Sequence, residues 1–384
     1  MFRLHVRPEW SLQRPGQPDF DLPQVLRLCA AVHEQGSLAQ AAKTLQLSYR
    51  HAWGLIREAD QAFGTPLIQL ERGRGGQLTP LGQVLLWADR RIAARLSPAL
   101  DSLSSELSAE MERVLSASAP VRIQASHGFA VQALRETLVE SGLNFDLRYT
   151  SSTDALQALA RKECDLAGFH VPIGQLQAAG MAPYRQALLA QPVQLINLAT
   201  RVQGLMVPPG NPLGITGIRD LPLRKPRFIN RQPGSGTRLL IDLLLQEQRV
   251  ASEQIPGYEM WEYTHAAVAA YIASGMADVG FGIETAARRF QLDFIPLVTE
   301  RYFLACRQDD VNRLDLDSVR NLLRAGELKR RIGELPGYDS NACGTLTSLR
   351  QAFPAEFAPH GANLQEQDVD PAVLDFVNSE PSPQ

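Results

Sequence analysis

The sequence lacks the features that mark membrane-spanning, secreted and zinc-binding proteins. No run of about 18 apolar residues occurs in the chain, so we expect no membrane span. The first twenty residues lack the apolar core of a secretory signal. Only four cysteines are present, and none has a CxxC or Cys/His spacing that could close a zinc site. We therefore expect a cytoplasmic protein in a reducing compartment.

The net charge of the chain is also small. The formal net charge of −3 gives no general attraction to nucleic acid, so any charge that binds DNA must be local. The hydrophobic fraction of 45% and the charged fraction of 21% are those of a soluble globular protein. A chain of 384 residues is too long for one ordinary core, which predicts two or three domains.

The apolar periodicity changes along the chain. From Phe20 to Arg113 apolar residues recur at helical spacing, whereas from Pro120 onward short apolar runs alternate with helical stretches. Such alternation predicts βαβ units and a mostly parallel sheet. A weak internal repeat, TDALQALARKECDLAGFHV and THAAVAAYIASGMADVGFGI, indicates two lobes. The predicted domains are an arm (1–19), a DNA-binding domain (20–80), a linker or dimerisation helix (81–115), a two-lobed α/β ligand-binding domain (120–350) and an acidic tail (351–384).

Two short helices joined by a tight turn form the first functional pattern. Ser37 and Gln40 give an S-x-x-Q capping box before LAQAAKTLQ, and Ser48 can cap the next helix, YRHAWGLIREADQAF. A second helix that presents polar and basic groups near its N-terminus suits the major groove, whereas any small helical domain can also have capped helices. For Trp53, packing against the wing or first helix is as good an interpretation as a DNA contact. The candidate DNA-binding residues of this unit are Ser37, Ser48, Tyr49, Arg50, Trp53 and Arg57.

A glycine-rich segment follows the second helix. PLIQLERGRGGQLTP predicts a two-stranded wing in which Arg72 and Arg74 contact phosphates. Residues 20–95 contain nine Lys or Arg against six Asp or Glu, an excess too small to indicate DNA binding by itself.

Residues 20 to about 113 resemble the N-terminal domain of ModE-type molybdenum-responsive repressors and, more distantly, LysR-type regulators. The resemblance is carried by GSLAQAAKTLQLSYRHAW and by the L-T-P-L-G segment at Leu78–Gly82, which matches the family's LTxxG after the wing. It implies that SYRHAW opens the recognition helix and that the long helix after the wing dimerises the protein.

The second pattern is a set of Ser-, Thr- and Gly-rich turns between predicted strands and helices, where helix N-termini offer free amides to an anion. Each turn alone can be a simple helix cap, but strand ends in a doubly wound sheet face one crevice. Arg231 and Arg238 flank one turn and could add charge-assisted bonds. The candidate ligand-binding residues are Ser126, His127, Ser151, Ser152, His170, Arg231, Gly234, Ser235, Gly236, Thr237, Thr264 and His265.

Residues 120–350 resemble the type II periplasmic-binding-protein fold, as in molybdate-binding proteins. The matching motifs are the strand-S-x-G at Ser126, the turn at Ser151 and Ser152, and NRQPGSGTR. The resemblance implies two lobes joined by crossing strands, near 195–207 and 295–304. The ModE type usually ends in small β-barrel molybdate-binding domains, which this chain lacks. Molybdate or tungstate is therefore the first effector to expect, with another oxyanion or a small carboxylate left open.

Three functions compete. A regulator that binds double-stranded operator DNA as a homodimer or tetramer, and senses a small anion, accounts for both halves. An enzyme is disfavoured because no Ser-His-Asp spacing, GxSxG elbow, HExxH motif or paired carboxylates occur, so we expect no catalytic residues. A storage or transport protein leaves the wing unexplained. His127, His170 and His265 have no metal-ligand spacing, and we expect them to hydrogen bond at the cleft rather than hold a metal.

Overall fold

The computed structural model describes residues 4, 6–9, 11, 21–71, 75–116 and 119–357. Most of the predicted arm, the wing-tip residues Arg72 and Arg74, and most of the acidic tail lie outside these ranges. Within them, no helix combines the length and apolar character that crossing a bilayer requires.

The N-terminal domain is a winged helix-turn-helix. Its elements are α1 (Leu22–Gln35), α2 (Leu38–Thr44), α3 (Tyr49–Phe63), β1 (Ile68–Glu71) and β2 (Gly75–Leu78). Ser37 and Ser48 cap α2 and α3 by accepting bonds from the amides of Gln40 and His51, because a short side-chain oxygen satisfies an otherwise orphan N–H. The predicted capping box is only half formed. Ser37 Oγ accepts from the Gln40 amide, but among the described residues no bond returns from the Gln40 side chain to the Ser37 amide.

The wing is attached to the turn between α1 and α2. The amide of Gly76 donates to the carbonyl of Gly36 at 2.8 Å. Gly75 has φ +88°, and a Cβ there would overlap that same carbonyl oxygen, so this position requires glycine. The wing and the helix-turn-helix are therefore joined through backbone atoms.

A long helix follows the wing. α4 (Pro80–Ser116) spans 37 residues and contains Pro98 in its interior. Its length agrees with the predicted linker helix. It passes from the winged helix-turn-helix along the second domain, where it contacts the strand Phe145–Tyr149 and the helix His265–Ala273.

The second domain alternates strands and helices, as the periodicity predicts. Its first part contains β3 (Val121–Ala125), α5 (Phe129–Ser141), β4 (Phe145–Tyr149), α6 (Ser152–Ala160), β5 (Leu166–Pro172), α7 (Gln177–Met181), α8 (Arg185–Leu189) and β6 (Val193–Val207). Its middle part contains α9 (Asp220–Arg224), β7 (Phe228–Arg231), α10 (Gly236–Glu247), β8 (Trp261–Glu262), α11 (His265–Ala273), β9 (Val279–Ile283) and α12 (Glu284–Arg289). The last part contains β10 (Asp293–Arg307), α13 (Leu314–Arg324), α14 (Gly326–Gly333), β11 (Tyr338–Asp339), β12 (Leu346–Ser348) and α15 (Leu349–Ala352).

The strands form one sheet in the order β4-β3-β5-β10-β6-β9-β7-β8, and β11 and β12 add to β6. The pairs β3/β4, β3/β5, β7/β9 and β7/β8 are parallel. The antiparallel pair β6/β10 lies at the centre, and its strands are 15 residues long. One half of this pair joins lobe 1, built on β3 to β5, and the other joins lobe 2, built on β7 to β9. These are the crossing strands expected from the resemblance.

The C-terminal segment contributes to lobe 1. Phe353 is fully buried and packs against Phe303 with ring centroids 5.5 Å apart, and Phe357 is also buried. The prediction that a solvated tail starts at residue 351 is therefore wrong at its boundary. The boundary was predicted from the acidic composition of the segment, although Phe353 and Phe357 within it belong to the core.

Candidate ligand cleft and DNA-binding surface

The cleft between the lobes is built on the crossing strands. Arg201 of β6 lies opposite Glu300 of β10 in the strand register, and its Nε donates to Glu300 Oε2 at 2.9 Å. Gln203 Nε2 donates to the same oxygen at 2.5 Å. All three side chains are buried. Burial alone would raise the pKa of Glu300, but His170, Arg201 and Gln203 together lower it, so this carboxylate is charged and compensates Arg201.

Arg231, at the end of β7, is the second buried cation of the cleft. Within the described ranges no carboxylate pairs with its guanidinium, and its Nε has no hydrogen-bond partner. Burial and the neighbouring Arg201 lower the pKa of Arg231 to about 9, which still leaves it protonated at neutral pH. A buried, unpaired cation is costly unless an anion joins it. The cleft thus has one positive charge in excess, because Glu300 offsets Arg201.

Three imidazoles from different elements surround this charge, as the sequence predicted for the cleft. Burial, reinforced by Arg231, lowers the pKa of His127 to about 4, and the pKa of His265 is lowered well below its usual value by burial and by both arginines. The pKa of His170 is also lowered to about 4, chiefly by burial. All three rings are neutral at pH 7. Nε2 of His170 and Nδ1 of His265 lack hydrogen-bond partners in the described structure, and Gly236 packs closely against His170 Nε2.

Hydroxyl groups complete the cleft. Ser126 lies 3.4 Å from the phenol of Tyr302, Ser152 lies 3.5 Å from His170 Nδ1, and Thr237 lies 3.5 Å from His265 Nε2. Ser126 and Ser152 come from lobe 1 and Thr237 comes from lobe 2. The two lobes meet where Gly236, the neighbour of Thr237, packs against His170.

Three other predicted hydroxyls are used by helix caps. Ser151 Oγ accepts from the Asp154 amide and donates to the Asp154 carboxylate at 2.6 Å. Ser235 Oγ accepts from the amide of Arg238. Thr264 Oγ1 accepts from the Ala267 amide and donates its hydrogen to a carbonyl of α4. The local signal for a helix cap and that for an anion-binding turn are the same, so a ligand contact by these three residues stays a prediction.

The remaining predicted positions are glycines at the start of α10. Gly234 has φ +77° and is exposed, so it shapes the turn before the helix. Gly236 faces His170 across the cleft. A side chain at either position would strain the backbone or fill the space between the lobes.

Four residues of the cleft were not predicted from the sequence: Arg201, Glu300, Gln203 and Tyr302. A signal for two of them was present: TRVQGLMV and TERYFLAC each place a charged residue next to or inside an apolar strand. A charge in such a strand is buried, and buried charges are paired or bind a ligand. Only the strand register shows that Arg201 and Glu300 pair with each other.

The recognition helix α3 presents its predicted face to solvent. Tyr49 is 54% exposed and Trp53 is 40% exposed, while Arg50 and Arg57 are also exposed. Trp53 is thus available to DNA rather than packed into the core. Arg72 and Arg74 lie outside the described residues, so their contact with phosphate stays a prediction.

No metal arrangement accompanies these sites in the ranges described: no three His, Cys, Asp or Glu side chains are grouped so that they could hold a metal ion. The free cysteines at 29, 164, 306 and 343 are all buried.

Family models match both domains of the chain. A model described as PBP superfamily domain matches residues 134–325, half of the chain. The chain belongs to the PBP superfamily. A second model, bacterial regulatory helix-turn-helix protein of the lysR family, matches residues 23–83. The PBP-type domain is therefore joined to a LysR-type helix-turn-helix, and the chain has the architecture of a LysR-family transcription regulator.

Individual relatives cover different parts of this PBP-type chain. The uncharacterized protein YvgK of Bacillus subtilis is 34% identical over 203 residues, which are 52% of this chain and 64% of YvgK. The HTH-type transcriptional regulator CbbR of Xanthobacter flavus is 23% identical over 91% of this chain and 98% of its own length. The molybdenum transport protein ModE of Azotobacter vinelandii is 34% identical over 21% of this chain and 32% of its own. A solved structure of the OxyR C206 mutant of Corynebacterium glutamicum matches 82% of this chain and 93% of its own, at 16% identity and a TM-score of 0.40.

Proposed function

We propose that this protein is a ligand-responsive transcription regulator that binds operator DNA as a dimer or higher oligomer and senses a small anion, with molybdate or tungstate as the first candidate. Arg231 carries the proposal. Its guanidinium is buried between two lobes without a carboxylate partner among the described residues, and neutral imidazoles face it. An anion that enters the cleft supplies the missing charge and accepts hydrogen bonds from donors of both lobes.

Molybdate and tungstate come first because of the similarity to ModE over part of the chain, which concerns 86 residues only. Another oxyanion or a small organic carboxylate is the alternative, since a single excess positive charge and several neutral donors serve either. We do not propose an enzymatic role, because burial lowers the pKa of His170 to about 4, which makes the imidazole beside the Ser152 hydroxyl a weak base at neutral pH.

Dimer formation is proposed from α4. Leu103, Leu107 and Val114 are exposed at helical spacing along its second half, and Leu96, just before Pro98, continues the stripe. An apolar stripe of this kind fits a second copy of the same helix, and two linked DNA-binding domains multiply the affinity of one.

Isothermal calorimetry with molybdate, tungstate, sulfate and phosphate tests the anion proposal on the full chain. We expect Arg231→Gln to weaken binding by roughly 30-fold or more, because a charge-assisted bond in a buried site contributes about 2 kcal/mol or more. Arg224→Gln is the matched control, since Arg224 is exposed in the same lobe. If Arg231→Gln binds the anion as tightly as wild type, the anion does not bind in this cleft. If wild type binds none of the four, small carboxylates are tested against the same pair of variants.

A further inference from the structure

Helix α4 holds lobe 2 through its first half. Arg91 forms an ion pair with the fully buried Glu262 at 2.6 Å. The hydroxyl of Thr264 donates to the carbonyl of Ala94 at 2.9 Å. The guanidinium of Arg95 lies over the ring of Tyr263, 5.0 Å from its centroid. All of these helix residues precede Pro98.

The second half of the same helix holds lobe 1. The amide of Tyr149 donates to Ser102 Oγ at 2.9 Å, and the amide of Leu147 donates to Ser105 Oγ at 2.7 Å. These amides belong to β4, the edge strand of the sheet, whose outward N–H groups have no further strand to bond. The helix hydroxyls replace that strand. Each lobe is thus attached to its own half of α4.

Pro98 separates the two halves. Proline has no N–H and its ring crowds the carbonyl four residues earlier, so a helix is weakened and bends at this point. In α4 that carbonyl is Ala94 O, which loses its helical donor. Thr264 supplies the missing donor from lobe 2. The break in the helix and the contact with the ligand-binding domain therefore share one carbonyl group.

The helix-turn-helix packs against the first half of α4. Trp87 of α4 lies between His33 of α1 and Phe290 of lobe 2, with ring centroids 5.9 Å from each. Arg90 pairs with Glu34 at 2.9 Å. The helix-turn-helix, the start of α4 and lobe 2 consequently form one packed unit.

Thr264 is also next to the cleft. It caps α11, and the following residue, His265, places its ring beside Thr237 in the cleft. Two adjacent residues, Thr264 and His265, therefore connect the carbonyl of Ala94 with the cleft.

We propose that α4 is a hinge at Pro98, and that the Thr264–Ala94 bond transmits cleft closure to it. The inference rests on the proposed function, which names a small anion as the ligand that closes the cleft. When an anion draws the lobes together, the two halves of α4 change their angle, because each half is fixed to a different lobe. The DNA-binding domain then rotates relative to the dimerising half, which alters the spacing of paired recognition helices.

A double-mutant cycle on thermal stability tests the shared carbonyl without any ligand. Thr264→Val removes the cap and the bond to Ala94 O, whereas Thr264→Ser keeps both. We expect Thr264→Val to lower Tm by at least about 3 °C more in wild type than in Pro98→Ala, because the alanine introduced by that substitution supplies a helical N–H to Ala94 O. Equal losses in the two backgrounds would overturn the inference.

The hinge itself is tested by the distance between recognition helices in the dimer. A spin label at Glu58→Cys reports this distance, since Glu58 is exposed and the four native cysteines are buried with raised thiol pKa values, which makes them slow to label. Without ligand, we expect Pro98→Ala to shift the mean distance. The control, Ser97→Ala, also improves helix propensity but restores no bond, and should leave the distance unchanged.

Sodium molybdate is the probe for the response. We expect it to shift the wild-type distance and change DNA affinity by about 5-fold or more, and Pro98→Ala to bind it equally well while the DNA effect falls below about 2-fold. A full response in Pro98→Ala would overturn the hinge. Absence of binding in wild type would count against molybdate in the proposed function, and the hinge would then be decided by the two ligand-free measurements.

Discussion

Gly236 of lobe 2 and His170 of lobe 1 approach so closely that no side chain fits between them. A Cβ on Gly236 would overlap His170 Nε2 and would lie 3.1 Å from Cε1 of the same ring. The position is therefore glycine for reasons of space across the cleft, as it has an ordinary φ angle.

Gly236→Ala is expected to hold the lobes apart. The added methyl overpacks a tight contact, which typically costs about 1–3 kcal/mol, so anion affinity should fall by roughly 5- to 150-fold. Calorimetry measures the affinity. The control is Gly217→Ala, where a Cβ meets nothing within 4 Å. Equal affinity in Gly236→Ala would show that the lobes need not be this close when the anion binds.

The imidazoles of the cleft predict an acid-sensitive fold. The pKa values of His127 and His170 are lowered to about 4 in the folded chain, against about 6.5 when unfolded, so the unfolded chain binds more protons between these values. Stability is fully present above pH 6.5 and is lost as pH falls toward 4, with a slope of about 1.4 kcal/mol per pH unit for each histidine.

Urea denaturation between pH 7 and 5.5 measures this slope above the range in which carboxylates titrate. His170→Asn should reduce it, since one proton is no longer taken up on unfolding. An unchanged slope in that variant would assign the acid sensitivity to other groups.

Glu300→Gln changes the charge of the cleft but keeps the size of the side chain. The substitution leaves Arg201 without a carboxylate, and loss of one member of a buried pair costs about 3–5 kcal/mol of stability, partly offset by the amide oxygen. Because the cleft then carries two uncompensated cations, anion affinity should rise. Chemical denaturation and calorimetry test both effects on the same protein. Weaker anion binding by a well-folded Glu300→Gln would show that the carboxylate itself contacts the ligand.

The exposed face of α3 predicts two kinds of DNA contact. Arg50→Ala should weaken binding to a selected operator more than to random DNA, because a base contact contributes about 1–3 kcal/mol of discrimination. Fluorescence anisotropy on both DNAs gives the ratio. Equal losses on both would assign Arg50 to phosphate. Trp53→Ala should leave Tm within about 3 °C of wild type, because a side chain with 40% exposure contributes little to the core.

The apolar stripe on α4 predicts the oligomer. Leu107→Glu should yield monomers in light scattering, since a charge in the centre of a helix pair is not tolerated, and should weaken operator binding. Glu106→Gln, next to it but ion-paired with Arg148, is the control. A dimer that persists in Leu107→Glu would place the interface on another surface.

Local chemistry predicted much of this molecule. The caps at Ser37 and Ser48, the wing and the alternation of strands and helices depend on neighbours within a few residues, and each was predicted at the correct position. His127, His170 and His265 were placed in the cleft because strand ends of an α/β sheet converge.

Long-range pairings were beyond this reasoning. Thr264 was assigned to the ligand because nothing near it in sequence indicates that it bonds to Ala94, 170 residues away. Arg201 and Glu300 meet only because β6 and β10 adopt one particular register. Phe353 was placed in the predicted tail because the acidic composition after it outweighed one aromatic side chain.

Evolution can move the N-terminal domain between sensors as a unit, because its wing is held by a bond internal to the domain. The amide of Gly76 needs only the carbonyl of Gly36, and neither the α4 hinge nor the cleft takes part in that bond. A recombination event that exchanges everything after the start of α4 would leave this domain intact, because Leu86 is the last residue of α4 in its buried core. One helix-turn-helix module of this kind can therefore serve sensors of unrelated chemistry.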